Sequence, residues 1–229
     1  MQIFFQPEIT NGVKQLDAEE SRHAIKVLRL KIGDEINLID GKGTFYKATI
    51  SNDNFRKCEF EITSQEKESS RNGYRHIAIA PTKNLDRTEW FVEKAVEIGI
   101  DRISFILTKN SERKFLKTDR LVKKAISAMK QSIKATLPIL DELRPFQEFV
   151  TKEHQGSKFI AFVDFENPSE LKDLVTGNDL VMIGPEGDFN AQEVEMAINN
   201  GFKKVSLGKS RLRTETAGIA TAHILNLFP

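Results

Sequence analysis

The sequence predicts an α/β protein in two parts: a small all-β domain over residues 1–68 and a mainly parallel, helix-covered sheet over residues 74–229. Three observations carry this. Residues 34–64 fall into short alternating runs separated by Gly, Asn and Asp turns, the pattern of a meander that closes into a small β-barrel. Residues 65–75, "QEKESSRNGYR", are polar, lack hydrophobic periodicity and read as an interdomain linker. Beyond them, short apolar runs alternate with helical patterns, which implies parallel strands covered on both faces.

In chain order, Asp17 with Glu20 three residues on is a capping-box pattern that opens a helix over roughly 18–30. "DEINLID" (34–40), "TFYKATIS" (44–51) and "FRKCEFEITS" (55–64) read as strands, with "GKG" and "NDN" as the turns. "HIAIAP" (76–81) and "RISFILT" (102–108) are buried-strand candidates. Between them, "LDRTEWFVEKAVEIG" (85–99) carries Phe91, Ala95 and Ile98 at helical spacing and closes on Gly99. Residues 118–135 form a helix, with Thr118 as N-cap and Val122, Ala125, Ile126, Met129 and Ile133 on one side. "KFIAFVD" (158–164), "DLVMIGP" (179–185) and "KKVSLG" (203–208) complete the strands. "NAQEVEMAINNG" (190–201) has Asn190 and Glu193 at its start and Gly201 at its end, a helix capped by both signals. The apolar run "IATAHILNLF" ends as a helix.

Bulk properties exclude several classes. No apolar run approaches the ~20 residues that span a bilayer. The N-terminus "MQIFFQPEIT" lacks the basic and long apolar regions of a secretory signal. The single cysteine, Cys58, rules out an internal disulfide and a cysteine cluster for zinc; the expected location is a reducing cytoplasm, with no metal and no membrane. A net charge of +1 neither announces nor excludes a nucleic-acid partner, so charge position has to decide.

In an open parallel sheet, ligands bind at the carboxyl ends of the strands. Two glycine-containing loops sit at such ends: "GPEGDF" (184–189) after "LVMI", and "LGKSRLRTETAG" (207–218) after "KKVS". Neither GxGxxG nor GxxxxGK[ST] is present, which argues against a dinucleotide dehydrogenase and a P-loop NTPase. "IGPEGDF" followed about twenty residues on by "VSLGKSRLRTETAG" resembles the C-terminal signature of the RsmE family, small-subunit ribosomal RNA methyltransferases of the SPOUT class. "HAIKVLRLKIGDEINLIDGKG" (23–43) is similar to that family's N-terminal PUA-like barrel, and "EWFVEKAVEIGI" (89–100) to its first methyltransferase-domain helix.

The resemblance covers the whole chain. It implies methyl transfer from S-adenosylmethionine to N3 of a uridine in 16S ribosomal RNA, naked or in the small subunit, a C-terminal trefoil knot and a homodimer. It places Gly184, Glu186 and Gly187 in a first cofactor loop, Leu207 and Gly208 in a second, and Leu212, Arg213, Thr214 and Ala217 in a third. Ile183, Leu207 and Leu212 can supply aliphatic walls for adenine. Alternatives within reach are another SPOUT activity, ribose 2′-O-methylation, and a non-catalytic RNA-binding assembly factor.

Uracil N3 carries a proton at neutral pH and must lose it as it attacks. Negative charge then grows on the two carbonyl oxygens, where a cation stabilises the transition state. Arg213 is the first candidate and Arg211 the second. Glu215 can accept the proton, or pair with an arginine or favour the helix start electrostatically, the simpler role.

For the RNA, Arg22, Lys26 and Arg29 fall at i, i+4 and i+7 on the first helix, and Lys123, Lys130 and Lys134 form a second stripe. A solvated helix face explains either stripe alone. Lys83 and Asn84, after the first strand of the second domain, are further substrate-contact candidates. The family pattern has a glutamate at 130 and an arginine at 134, where this chain has lysines; Gln131 and Ser132 match. Asp188 stands where a second glycine is common. Cys58, His23, Trp90, Phe91 and His223 read most simply as packed residues, and Asp164 and Glu166 as turn or cofactor contacts.

Overall fold

The computed structural model describes residues 2–69, 71–163 and 169–227. The chain divides into two compact units, Met1–Ser70 with Ile126–Leu137, and Arg71–Ala125 with Pro138–Pro229. Among the described residues no helix is long and apolar enough to cross a membrane.

The first unit holds a four-stranded mixed sheet in the order β1 (Ile3–Phe5), β2 (Glu35–Ile39), β3 (Thr44–Asn54), β4 (Lys57–Lys67). β2, β3 and β4 form the antiparallel meander that the alternation predicts, and β1 pairs in parallel with β2. Two expectations need correction. Asn52–Asn54 do not turn but continue β3 opposite Lys57–Glu59. The segment read as linker begins as strand, because Gln65, Glu66 and Lys67 pair with Tyr46, Phe45 and Thr44. Their side chains are exposed, so polar composition did not oppose the backbone pairing. Phe4, Leu38, Cys58 and Phe60 form a dry core at 0 % exposure. Burial pushes the Cys58 thiol up to about 11, so it stays protonated and packs as a small apolar group.

α1 (Ala18–Arg22) starts where Asp17 predicts, with its carboxylate accepting from the Glu20 amide at 2.7 Å. The capping box is only half formed: the Glu20 carboxylate instead accepts from the Phe5 amide and from Lys130 Nζ. The helix also stops short of residue 30. His23–Val27 widen into a π-helical turn, and Arg29 lies beyond it at φ +60°. Arg22, Lys26 and Arg29 are all exposed, but they do not form an α-helical stripe. Lys26 Nζ rests 4.7 Å from the centroid of the Phe55 ring.

The second unit is built on a six-stranded sheet. Its strands are β5 (Tyr74–Ile79), β6 (Arg102–Leu107), β7 (Ile139–Pro145), β8 (Ser157–Ala161), β9 (Asn178–Ile183) and β10 (Lys203–Val205). All pairs are parallel, in the order β10-β8-β9-β5-β6-β7. The central strands are the continuous apolar runs of the sequence; β5 and β9 bury every residue after their first. β7 has no counterpart among the strands expected from the sequence. It is an edge strand, partly exposed and interrupted by Asp141, Glu142 and Arg144, so it lacks the apolar run that marks its neighbours.

α2 (Leu85–Ile98) is capped by Asn84, which accepts from the Asp86 amide at 3.0 Å, and closed by Gly99 at φ +114°. α3 (Asp119–Gln131) ends four residues before the expected 135. Thr118 stands at the expected N-cap position, its carbonyl accepting from the Val122 amide at 2.8 Å, and its hydroxyl donates to Glu142 at 2.8 Å. α4 (Phe146–Val150) packs against α5 (Ala191–Asn199), which carries the full Asn190–Glu193 capping box. α6 (Thr214–Leu227) packs on α2, β5 and β9.

Near the amino end of the sheet, His76 Nε2 lies 2.7 Å from the Ser104 hydroxyl, which donates in turn to Asp141. Arg102 holds the same carboxylate through two 2.8 Å bonds. Burial, then Arg102 and His154, push His76 down to about 3, against the opposing pull of Asp141. The unfolded chain takes up this proton near the ordinary 6.5 while the folded chain refuses it until about 3. Stability contributed by neutral His76 is thus complete above 6.5 and lost as pH falls towards 3, with a slope of at most about 1.4 kcal/mol per pH unit for this proton. Urea midpoints measured from pH 7 to 4 should fall, and fall less steeply in His76→Gln.

Candidate active site

Within the second unit, the carboxyl-end loops surround one cavity of about 970 Å³. After β9, Ile183, Gly184, Pro185, Glu186 and Asp188 form one wall. After β10, Ser206, Leu207 and Gly208 form a second, and Lys209 through Thr214 with Ala217 form a third. Ala161, Phe162 and Val163 at the end of β8, together with Glu170, close the remaining side. The first and third walls are tied directly, the Thr214 hydroxyl donating to the Gly184 carbonyl at 3.1 Å.

Local chemistry explains these shapes. A Cβ on Gly184 would sit 3.1 Å from both Asp188 Oδ1 and the Phe189 ring, so a larger residue would press on both side chains. Gly208 at φ +112° occupies backbone space that residues with side chains rarely adopt. Asp188 takes a left-handed conformation, φ +60°, its carboxylate accepting from the Phe189 amide at 2.8 Å. That local bond lets an aspartate stand where glycine would be at ease. Burial raises the Asp188 carboxyl, while the amide bonds and Arg211 work against the rise.

Glu186 Oε1 accepts from the Lys83 amide at 3.1 Å, while its Oε2 is buried with no protein partner. Glu215 is buried in the first turn of α6, its Oε1 3.7 Å from Arg87 Nε and its Oε2 likewise unpartnered. An unpaired buried carboxylate oxygen is costly, which marks both groups as awaiting a donor. Arg211, Leu212 and Arg213 border both the large cavity and an adjoining hollow of about 610 Å³, whose other walls include Arg87, Trp90 and Glu215.

The sequence-predicted residues Ile183, Gly184, Glu186, Leu207, Gly208, Leu212, Arg213, Thr214 and Ala217 all line the large cavity, and Arg211 with them. Gly187 lies outside the lining, its carbonyl accepting from Asn110. Lys83 turns its ammonium to Glu112 at 2.7 Å. Lys130 is held by Glu20, and Lys134 lies beyond the end of α3. Trp90 is 45 % exposed rather than packed, and His223 is exposed. Asp164 and Glu166 lie outside the described residues. The β8 end and Ser206 are site residues that the sequence did not single out; the strand run "KFIAFV" was the signal for the former.

With a family match to each part, the parallel sheet whose strand-end loops gather round one cavity and the β-rich N-terminal unit make a two-domain RNA methyltransferase. Residues 70–226 match the RNA methyltransferase domain family and residues 16–63 the RNA methyltransferase PUA domain family. The structure is similar to that of a probable rRNA-methyltransferase from Porphyromonas gingivalis, with 40 % identity and a TM-score of 0.90, covering 97 % of this chain and 95 % of that one. It is similar also to ribosomal RNA small subunit methyltransferase E from Neisseria gonorrhoeae bound to S-adenosyl methionine, with 28 % identity, a TM-score of 0.86 and coverage of 100 % and 98 %. Ribosomal RNA small subunit methyltransferase E of Rickettsia conorii is 28 % identical over 91 % of this chain and 87 % of its own length. The chain belongs to the RsmE family of ribosomal RNA small subunit methyltransferases.

Proposed function

We propose that the chain methylates N3 of a uridine in 16S ribosomal RNA, using S-adenosylmethionine held in the 970 Å³ cavity. The observation that carries this is the meeting of residues 183–188 and 206–217 around one space. Ile183, Leu207 and Leu212 give aliphatic walls, and the strand-end loops present backbone N–H and C=O groups, as a purine ring requires. The cavity bears both signs of charge, Lys209 beside Glu170, Glu186 and Asp188, which suits a ligand that carries an amino-acid moiety and a sulfonium. The free Glu186 Oε2 is placed to accept from a hydroxyl or ammonium donor.

The bound cofactor supplies a methyl group already activated on sulfur. Arg213, with Arg211 beside it, stands between the cavity and the adjoining hollow and stabilises charge growing on the uracil carbonyl oxygens. Glu215 offers its unpartnered oxygen to the N3 proton. The N3–methyl bond forms as the sulfur–methyl bond breaks, leaving a neutral thioether. Arg22, Lys26 and Arg29 contact phosphates through their exposed side chains.

The trefoil knot belongs to the same reading; the chain leaves β10 at the sheet edge, lines the cavity and enters α6 against central β5. Trp90 on α2 and Leu227 on α6, 45 % and 57 % exposed, support a homodimer through that pair of helices. A 16S ribosomal RNA substrate implies a cytoplasmic protein. Glu186→Gln should weaken S-adenosylmethionine binding about 10- to 100-fold by calorimetry, the loss of a hydrogen bond to a charged group. Unchanged affinity would remove Glu186 from the site.

A further inference from the structure

We propose that the loop of residues 109–117 is a stacking platform for an unpaired RNA base, with the Phe115 ring as its surface and Lys114 and Lys117 as phosphate contacts. This rests on the RNA methyltransferase reading above. Phe115 is 67 % exposed, the most exposed large hydrophobic side chain among the described residues, while its neighbour Leu116 is buried at 5 %. The loop therefore buries one apolar side chain and displays the larger one.

That display is rigidly mounted. Ser111 is buried, its hydroxyl accepting from the Thr108 amide at 3.0 Å. The Lys109 amide donates to Glu193 at 2.8 Å. Asn110 Nδ2 reaches the carbonyls of Gly187 and Asp188 at 3.1 and 3.0 Å. Arg113 donates to the carbonyls of Thr82 and Lys83 at 3.0 and 2.6 Å. The Asn110 and Arg113 anchors thus reach the loops that wall the cofactor cavity or hold Glu186, and a base stacked on Phe115 is registered against the cavity by the same framework. Little ordering remains to be done when RNA binds.

Charge selects the partner. The loop carries Lys109, Arg113, Lys114 and Lys117 against Glu112 alone, and Glu112 is neutralised by Lys83 at 2.7 Å. An exposed aromatic ring among cations suits single-stranded nucleic acid, which stacks its bases on such rings while lysines follow the backbone. Stacking tolerates any base, so the platform sets position rather than sequence.

The test uses the full chain and small ribosomal subunits from cells lacking the gene. RNA affinity, KM and kcat are compared for wild type, Phe115→Ala, Phe115→Leu, Phe115→Trp and the double change Lys114→Ala with Lys117→Ala. Expected are RNA affinities about 5- to 150-fold weaker for Phe115→Ala and Phe115→Leu, and near wild type for Phe115→Trp. The lysine variant should show a flatter dependence of log affinity on log salt, by about 0.7 for each phosphate no longer neutralised. S-adenosylmethionine affinity stays at the wild-type level throughout. Wild-type RNA affinity in Phe115→Ala, full rescue by leucine, or a changed oligomeric state in Phe115→Ala each overturns the proposal, the last by making the ring a protein contact. Failure of wild type itself to bind or methylate the subunits overturns the underlying reading, and shows before any variant is made.

Discussion

Arg213→Ala is expected to lower kcat for methyl transfer about 100- to 1,000-fold, the ~2.7–4 kcal/mol typical of one lost charge-stabilising donor. S-adenosylmethionine should still bind within about threefold of wild type. The reason is position. Arg213 borders both the large cavity and the open hollow beside it, so its guanidinium serves the space between methyl donor and base. The cofactor walls on either side, Leu212 and Thr214, do not depend on that side chain, and the Arg213 carbonyl still accepts from the Ala217 amide at 2.8 Å. Arg213→Lys should recover part of the rate, keeping the charge but not the planar fork. Single-turnover kinetics with saturating cofactor check this, and an unchanged rate constant would take Arg213 out of the chemistry.

Gly218→Val is expected to damage stability and cofactor binding together. A Cβ at 218 would sit 2.6 and 2.7 Å from two Phe91 ring atoms and 3.0 Å from Ile79 Cδ1. Phe91 and Ile79 are buried at 0 % and 2 %, so neither can swing aside. α6 must lift from α2 and β5, an overpacking cost of about 1–3 kcal/mol. Its first turn carries Thr214, whose hydroxyl ties the third cavity wall to Gly184. Thermal melts should show Tm lowered by roughly 2–12 °C, and calorimetry a weakened cofactor affinity. A variant with wild-type Tm would mean that α6 is not wedged as described.

Features with local causes were legible in the sequence. The Asn190–Glu193 box and Gly99 report their own backbone geometry, and the buried runs of β5 and β9 need no knowledge of their neighbours. Features set across the chain were not. β7 is a strand because it pairs with β6, and its composition reflects an edge. Lys130 looks like part of a basic stripe in the sequence, yet Glu20, 110 residues away, holds it. The π-helical turn at His23–Val27 carries no period that distinguishes it from an α-helix, so the first stripe is less regular than its spacing implies. The two glycine loops stand out by composition, but Phe162 and Val163 join the cavity only through the pairing of β8 with β9 and β10. The helix pattern groups Trp90 with Phe91, although successive helix positions point about 100° apart and only Phe91 faces inward.

The cavity is proposed to hold a methyl donor for N3 of a 16S uridine. The most direct test is nucleoside analysis of small subunits from cells lacking the gene, after incubation with the purified chain and methyl-labelled S-adenosylmethionine. Label is expected in 3-methyluridine at one position of the RNA, appearing about 100- to 1,000-fold more slowly with Arg213→Ala. Label on a ribose 2′-oxygen, or no label in RNA at all, would contradict the proposal.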